Sequence, residues 1–221
     1  MFKKMKIIKT LFVLIAFSSL WNCKKKNQEI FFKVQGEIVD INSNNTLSDI
    51  EVLAYKRELS SGTFNSSYSK FETLHTNSNG VFVVETEYNG IESLKFQFNH
   101  ANYFTKEVII NPDDLSTEKT NMLNFQLQSK GVIKFEISNS SPFDQFDKII
   151  FNSTNSSCTN CVKFNSVEMN GAMVDTNLIG QIEANKYFRY QYIVTKNGAT
   201  SNFFDSVFCT IGDTTVKILN Y

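Results

Sequence analysis

Apolar and polar side chains alternate strictly along several stretches of this chain, and this limits the fold more than any other feature. Phe32, Val34, Gly36 and Ile38 fall on one side of an extended backbone, and Lys33, Gln35 and Glu37 on the other. The same two-residue period runs through Leu94, Phe96 and Phe98, then Leu123, Phe125 and Leu127, and again through Ile133, Phe135 and Ile137. A period of two is that of a strand with one buried and one wet face, which is how antiparallel sheets read. The chain carries 21 Phe and 8 Tyr against 2 Pro. Aromatic side chains suit half-buried pleated surfaces, so the material for an all-β core is present.

Turn signals cut these stretches into short pieces: 42–45, 60–67, 77–80, Asn89-Gly90, Asn170-Gly171, Asn197-Gly198 and Gly212-Asp213. Asn-Gly favours the tight hairpin turn whose two central residues both need positive φ. Tyr187–Val194 and Phe203–Cys209 are therefore expected to pair across Asn197-Gly198. No long stretch has a helical period; 113–119, following Pro112, is expected to form one helical turn. Many short strands with regular turns predict β-sandwiches. A boundary near Ser129-Lys130-Gly131 divides the chain into halves of the size of a small sandwich, with one larger sandwich as the alternative. The expected organisation is two consecutive β-sandwich domains, 31–129 and 130–221. The second is read as immunoglobulin-like on pattern alone.

The N-terminus is of another kind. Lys3, Lys4, Lys6 and Lys9 precede an apolar run from Leu11 to Leu20. A basic flank with a short apolar core is the layout of a secretory signal, and the run is shorter than the ~20 residues of a membrane-spanning helix. Leu20-Trp21-Asn22-Cys23 resembles a lipobox, the site at which lipoprotein signal peptidase cuts before a lipid-modified Cys; Trp21 and Asn22 are larger than the residues usual there. The resemblance, of the bacteroidete type, implies a signal peptide at 1–22, a lipid on Cys23, a linker at 23–30 and a protein held to a membrane from the outside. Acyl chains contribute ~0.8 kcal/mol per buried methylene, enough for stable anchoring when there are several. Surface-exported lipoproteins of this type share an acidic stretch after the Cys. Here Lys24-Lys25-Lys26 follows, so the periplasmic face of the outer membrane is expected. Four of the 22 basic residues and none of the 22 acidic ones lie within 1–22. The remainder is mildly acidic, which is no footprint for nucleic acid.

Residues 31–128 resemble the carboxypeptidase regulatory-like domain, a transthyretin-like sandwich of seven strands. The residues that carry this are Val34-x-Gly36-x-Ile38-x-Asp40, Leu47-x-x-Ile50-x-Val52 and Thr76-x-x-x-Gly80-x-Phe82. In that family a small residue in the first strand lets the opposing sheet come close, which agrees with glycine inside a strand marking a close approach. Such domains are mostly folding or spacing modules, and a fold carries no function with it.

Candidate chemistry is sparse. Cys158-Thr159-Asn160-Cys161 lies in a Ser/Asn-rich loop rather than at the start of a helix, which disfavours a redox centre. Zinc needs two further ligands, and only His75, His100 and Cys209 remain. An oxidising compartment favours a disulfide. The pair is open between Cys158–Cys161 and a longer bridge to Cys209, with a lean to the former because Cys209 reads as a buried thiol. His75 and His100 have no partner motif. Asp113-Asp114 and Asp144/Asp147 lack calcium-loop spacing. No nucleophile elbow, phosphate loop or zincin motif occurs. Asp205-Ser206-Val207 and Asp213-Thr214-Thr215 are similar to a three-residue O-glycosylation motif of bacteroidete-type secreted proteins, which implies modification at Ser206 and Thr214. Tyr187-Phe188-Arg189-Tyr190-Gln191-Tyr192 alternates, and reads as a central strand with one aromatic face inward or as an exposed aromatic strip. No catalytic residue, metal or cofactor is expected. The expected role is a non-enzymatic binding or structural module whose partner is an envelope protein or a glycan; an enzyme of unrecognised type or a redox-active protein is the alternative.

Overall fold

A computed structural model of the chain describes residues 30–221 apart from 61, 62, 65, 89 and 155–157. The signal peptide, Cys23, Lys24-Lys25-Lys26 and Asn89 of the expected turns lie outside the described residues. Fifteen strands are described: β1 Phe31–Asp40, β2 Glu51–Ser60, β3 Thr63–Phe64, β4 Ser69–His75, β5 Val81–Glu87, β6 Ile91–His100, β7 Tyr103–Ile110, β8 Asn121–Leu127, β9 Lys130–Ser138, β10 Lys148–Ser153, β11 Val167–Asn170, β12 Asp175–Glu183, β13 Lys186–Lys196, β14 Ala199–Cys209 and β15 Thr214–Asn220. The fold is all-β, as the alternation predicts. The helical turn expected over 113–119 is instead a 3-10 turn at Pro112–Asp114, capped by the Asn111 side chain. Asn121 Oδ1 accepts from the Ser116 N–H at 2.7 Å and ties the rest of that segment to β8.

The strands form four sheets in two sandwiches. In the first, β1 lies between β5, antiparallel to it, and β8, parallel to it. The facing sheet runs β4-β2-β6-β7, with the two-residue β3 continuing beside β2. In the second, β9 lies between antiparallel β12 and parallel β15, facing the sheet β11-β10-β13-β14. Setting β3 aside, the two sandwiches have one strand order and one set of strand directions, with β1, β2, β4, β5, β6, β7 and β8 matched by β9, β10, β11, β12, β13, β14 and β15.

Each sandwich has its own core. In the first, Val34, Ile38, Val52, Phe82, Phe96, Phe98, Phe125 and Leu127 are buried together; in the second, Ile133, Phe135, Ile137, Phe151, Phe164, Phe188 and Tyr190. Gly36 sits mid-strand in β1, opposite Phe82 of β5 and Leu123 of β8, and the ring of Phe125, two residues along β8, also reaches it. The three atoms nearest to where a Cβ of Gly36 would stand belong to the Phe82 and Phe125 rings of the flanking strands. The Phe82 and Phe125 rings close over the glycine from either side and stack at 5.9 Å between centroids. A Cβ on Gly36 would overlap the Phe82 ring.

The sandwiches meet end to end through backbone. Ser129 is fully buried and its carbonyl accepts from the Ala184 N–H, while Lys130 N donates to the Asn102 carbonyl and Gly212 N to that of Lys130. β1 runs toward this junction and β9 away from it. Residue 30 therefore lies at the outer end of the first sandwich, and the 139–147 loop at the outer end of the second. That outer loop is built on a buried carboxylate: Asp147 Oδ2 accepts from Asn139 Nδ2 and from the Phe143 N–H, and Lys196 Nζ donates to Asn139 Oδ1.

Gly36→Ala is expected to lower stability by about 1–3 kcal/mol through overpacking, read as a fall in the urea midpoint at unchanged slope. Pairing it with Phe82→Leu, which removes the ring atoms the new methyl meets, is expected to recover part of the loss.

Candidate functional site

The Asn197-Gly198 signal folds as expected. Both residues have positive φ, 49° and 69°, and β13 and β14 pair antiparallel from Lys196↔Ala199 to Lys186↔Cys209. This register divides the aromatic side chains of the hairpin between its faces. Phe188 and Tyr190 point into the core, whereas Tyr187 points outward and is 60% exposed. The two readings of the 187–192 run therefore each hold for part of it: β13 is a central strand with a buried aromatic face, and Tyr187 starts an outer one. β14 supplies the rest of the outer face, with Phe204 70% and Phe208 46% exposed. Tyr187 and Phe208 are cross-strand neighbours in an edge-to-face pair at 5.3 Å. Ser206 lies between Phe204 and Phe208 on the same face, and Gln191 Nε2 donates to Asn202 Oδ1 at 2.9 Å beside them.

β14 is an edge strand, and its side chains from Ala199 to Ser206 are exposed on both faces. On the inner side Phe203 stacks on Tyr192 at 4.8 Å. Asp205 Oδ2 there receives the Tyr190 hydroxyl at 2.8 Å and the Lys217 ammonium of β15 at 2.9 Å. The hydrogen bonds from Lys217 and Tyr190 hold the Asp205 carboxyl below its ordinary range. Burial, then the hydrogen bond to Asp205, pushes the Tyr190 phenol far above its own.

The disulfide loop borders the outer face. The structure pairs Cys158 with Cys161 and leaves Cys209 a buried free thiol, whose pKa burial pushes up. Between β10 and β11 the chain doubles back over β12. Phe164 is buried in the core, Val162 N donates to the Gln181 carbonyl at 2.7 Å, and the Val162 side chain covers Gly180. Between this loop and the hairpin lies an open cavity of about 530 Å³ lined by Cys158, Cys161, Lys186, Tyr187, Arg189 and Phe208.

The remaining sequence candidates do not converge. His75 Nδ1 is 3.0 Å from Asp49 Oδ1 at the surface, and His100 Nδ1 accepts from the Asn102 N–H. Asp113 and Asp114 edge an open depression. Among the described residues no three His, Cys, Asp or Glu side chains gather as a metal site, and no helix is long and apolar enough to cross a membrane. Thr214 is exposed at the start of β15. Sequence reasoning placed Phe203–Cys209 as a strand but missed its aromatic face. The signal was present, because a two-residue turn at 197–198 fixes Tyr187 opposite Phe208.

No protein-family model and no curated protein matches this chain. Among solved structures it is similar to the Bacillus anthracis TIE protein at 10% identity, over 86% of this chain and 34% of that one, with a TM-score of 0.38. A streptococcal ancillary pilin is similar at 16% identity, over 86% of this chain and 62% of that one, with a TM-score of 0.37. A mutant catechol 1,2-dioxygenase of Acinetobacter radioresistens is similar at 14% identity, over 41% of this chain and 38% of that one, with a TM-score of 0.31. The chain thus spans about a third of the length of the first and three-fifths of the second. At TM-scores this low the likenesses carry no argument about function.

Three outcomes are expected here. A carboxyl whose folded pKa is depressed stabilises fully above its unfolded pKa, ~3.9, and loses that contribution as pH falls through the folded value. The stability gap between the wild type and Asp205→Asn is therefore expected to be largest near neutral pH and to close below that range, as read from urea unfolding at several pH values. With maleimide, no thiol of the native chain is expected to label at Cys209 until denaturant is added. Cys158→Ser is expected to cost about 2 kcal/mol on the chain-entropy model of a short loop.

Proposed function

We propose that this chain is a lipid-anchored protein of the cell envelope that acts by binding rather than by catalysis, using the outer face of the β13–β14 hairpin. The observation that carries the reading is the open aromatic strip of Tyr187, Phe204 and Phe208, set beside the amides of Gln191 and Asn202. Aromatic rings rimmed by polar groups give a surface with contact area and orientation at low entropic cost, as binding faces do. The anchor rests on the basic start, the short apolar run and Leu20-Trp21-Asn22-Cys23. Lys24-Lys25-Lys26 in place of an acidic stretch supports the periplasmic face of the outer membrane. Residue 30 lies at the outer end of the first sandwich, so an anchor there would hold the strip one sandwich length or more from the lipid. The partner is an envelope protein or a glycan. Ser206 stands within the strip, so a glycan attached to it would cover part of that surface.

Both parts of the reading are testable in cells. The mature protein is expected to lack Trp21 and to carry acyl mass on Cys23, and Cys23→Ala is expected to leave the membrane fraction. A Tyr187→Ser/Phe208→Ser chain is expected to stay folded and membrane-bound but to lose its envelope cross-links. A soluble wild type would overturn the anchor, and undiminished cross-linking would overturn the strip.

A further inference from the structure

A sheet edge is a row of unpaired backbone donors and acceptors, and proteins protect such edges with charge, brevity or cover. Most of the other edges among the described residues are protected in one of these ways, and the remaining two, β8 and β15, are shorter than β14, at seven residues each. β4 carries Lys70 and Glu72, and β5 carries Glu85 and Glu87. β7, which occupies in the first sandwich the place of β14 in the second, carries Lys106 and Glu107, and the Lys106 ammonium donates to the Gln126 carbonyl of β8 at 2.9 Å. The disulfide loop covers β12 through the hydrogen bond from Val162 to Gln181. β11 is four residues long.

β14 has none of these protections. It is eleven residues long, without lysine, arginine or proline, and it overhangs the sandwich with both faces exposed over 199–206. Its one charged side chain, Asp205, is neutralised by Lys217 and hydrogen-bonded by Tyr190.

We propose that β14 pairs with β14 of a second copy of this chain, antiparallel about a two-fold axis through Phe204, joining two four-stranded sheets into one of eight strands. An isologous contact requires a patch that complements itself. Direct antiparallel partners lie on the same face, so a two-fold register must pair residues of like parity. The register centred on Phe204 meets that condition and is the one that uses the whole strand, from Ala199 against Cys209 of the partner copy. On the outer face it sets Phe204 against its twin and Asn202 against Ser206. On the inner face it sets Phe203 against Asp205 and Ser201 against Val207. No like charges oppose each other. The two aromatic strips become continuous across the axis and remain open to a further partner. The pairing does not depend on the lipid anchor, so loss of one leaves the other standing.

The test uses the full chain in mild detergent, followed by sedimentation velocity over a range of concentrations. The wild type and Ile109→Lys, a substitution at an exposed position on β7, are expected to dimerise alike. Phe204→Lys removes the central ring pair and places two like charges opposite each other, and is expected to weaken the dimer several-fold. Directly opposed strand residues have Cα atoms ~4.5–5.5 Å apart, within disulfide reach. Phe204→Cys is therefore expected to give a covalent dimer under mild oxidation, and Ile109→Cys none. A wild type that stays monomeric, a dimer indifferent to Phe204→Lys, or cross-linking of Ile109→Cys as fast as Phe204→Cys would each overturn the pairing.

Discussion

In both sandwiches the inward side chains of one central strand, enclosed by rings from its neighbours, decide whether two sheets can close on each other. β1 leaves a gap at Gly36, and Phe82 and Phe125 lean in from either side to fill it, meeting Phe96 and Phe98 of the facing sheet. β9 takes the opposite course. Phe135 projects from the central strand itself and is ringed by Phe151, Phe164, Phe188 and Tyr190. A close-packed interior fixes how much volume the rings must occupy but not which strand supplies it. One strand order can thus rest on two unrelated residue patterns.

That freedom explains what was legible in the sequence. Alternation gave the strands, and the Asn-Gly turn gave the β13–β14 hairpin with the side-chain faces it implies. The shared strand order of the two halves was not legible, because Val34-x-Gly36-x-Ile38 and Ile133-x-Phe135-x-Ile137 have no distinctive residue in common. The parallel pairs β1–β8 and β9–β15 join residues about eighty positions apart, and no local period reports such a contact. The 113–119 segment misled because Pro112 and two acids suit a helix start, whereas Asn121 draws the following backbone back to the sheet.

The candidate site was legible in parts. The sequence leaned to the Cys158–Cys161 bridge because Cys209 read as a buried thiol, but left a longer bridge to Cys209 open, and the structure forms the former. What that loop does followed only from the fold, where it buries Phe164, covers β12 and walls one side of the aromatic strip. Tyr187 was read within its own strand, although its chemistry comes from Phe204 and Phe208 on the next one. A binding face of a sheet is assembled across strands, so a reading confined to one strand at a time finds half of it.

The parallel pairs also bear on load. A pull between residue 30 and the C-terminal strand would enter the first sandwich at the start of β1 and leave it at the end of β8. In the second it would enter at the start of β9 and leave at the end of β15. In each case the force acts along a parallel ladder gripped at opposite ends, seven residue pairs long. Bonds held in shear must give way together, whereas a hairpin peels open one bond at a time. The architecture therefore suits a strut under tension along its length.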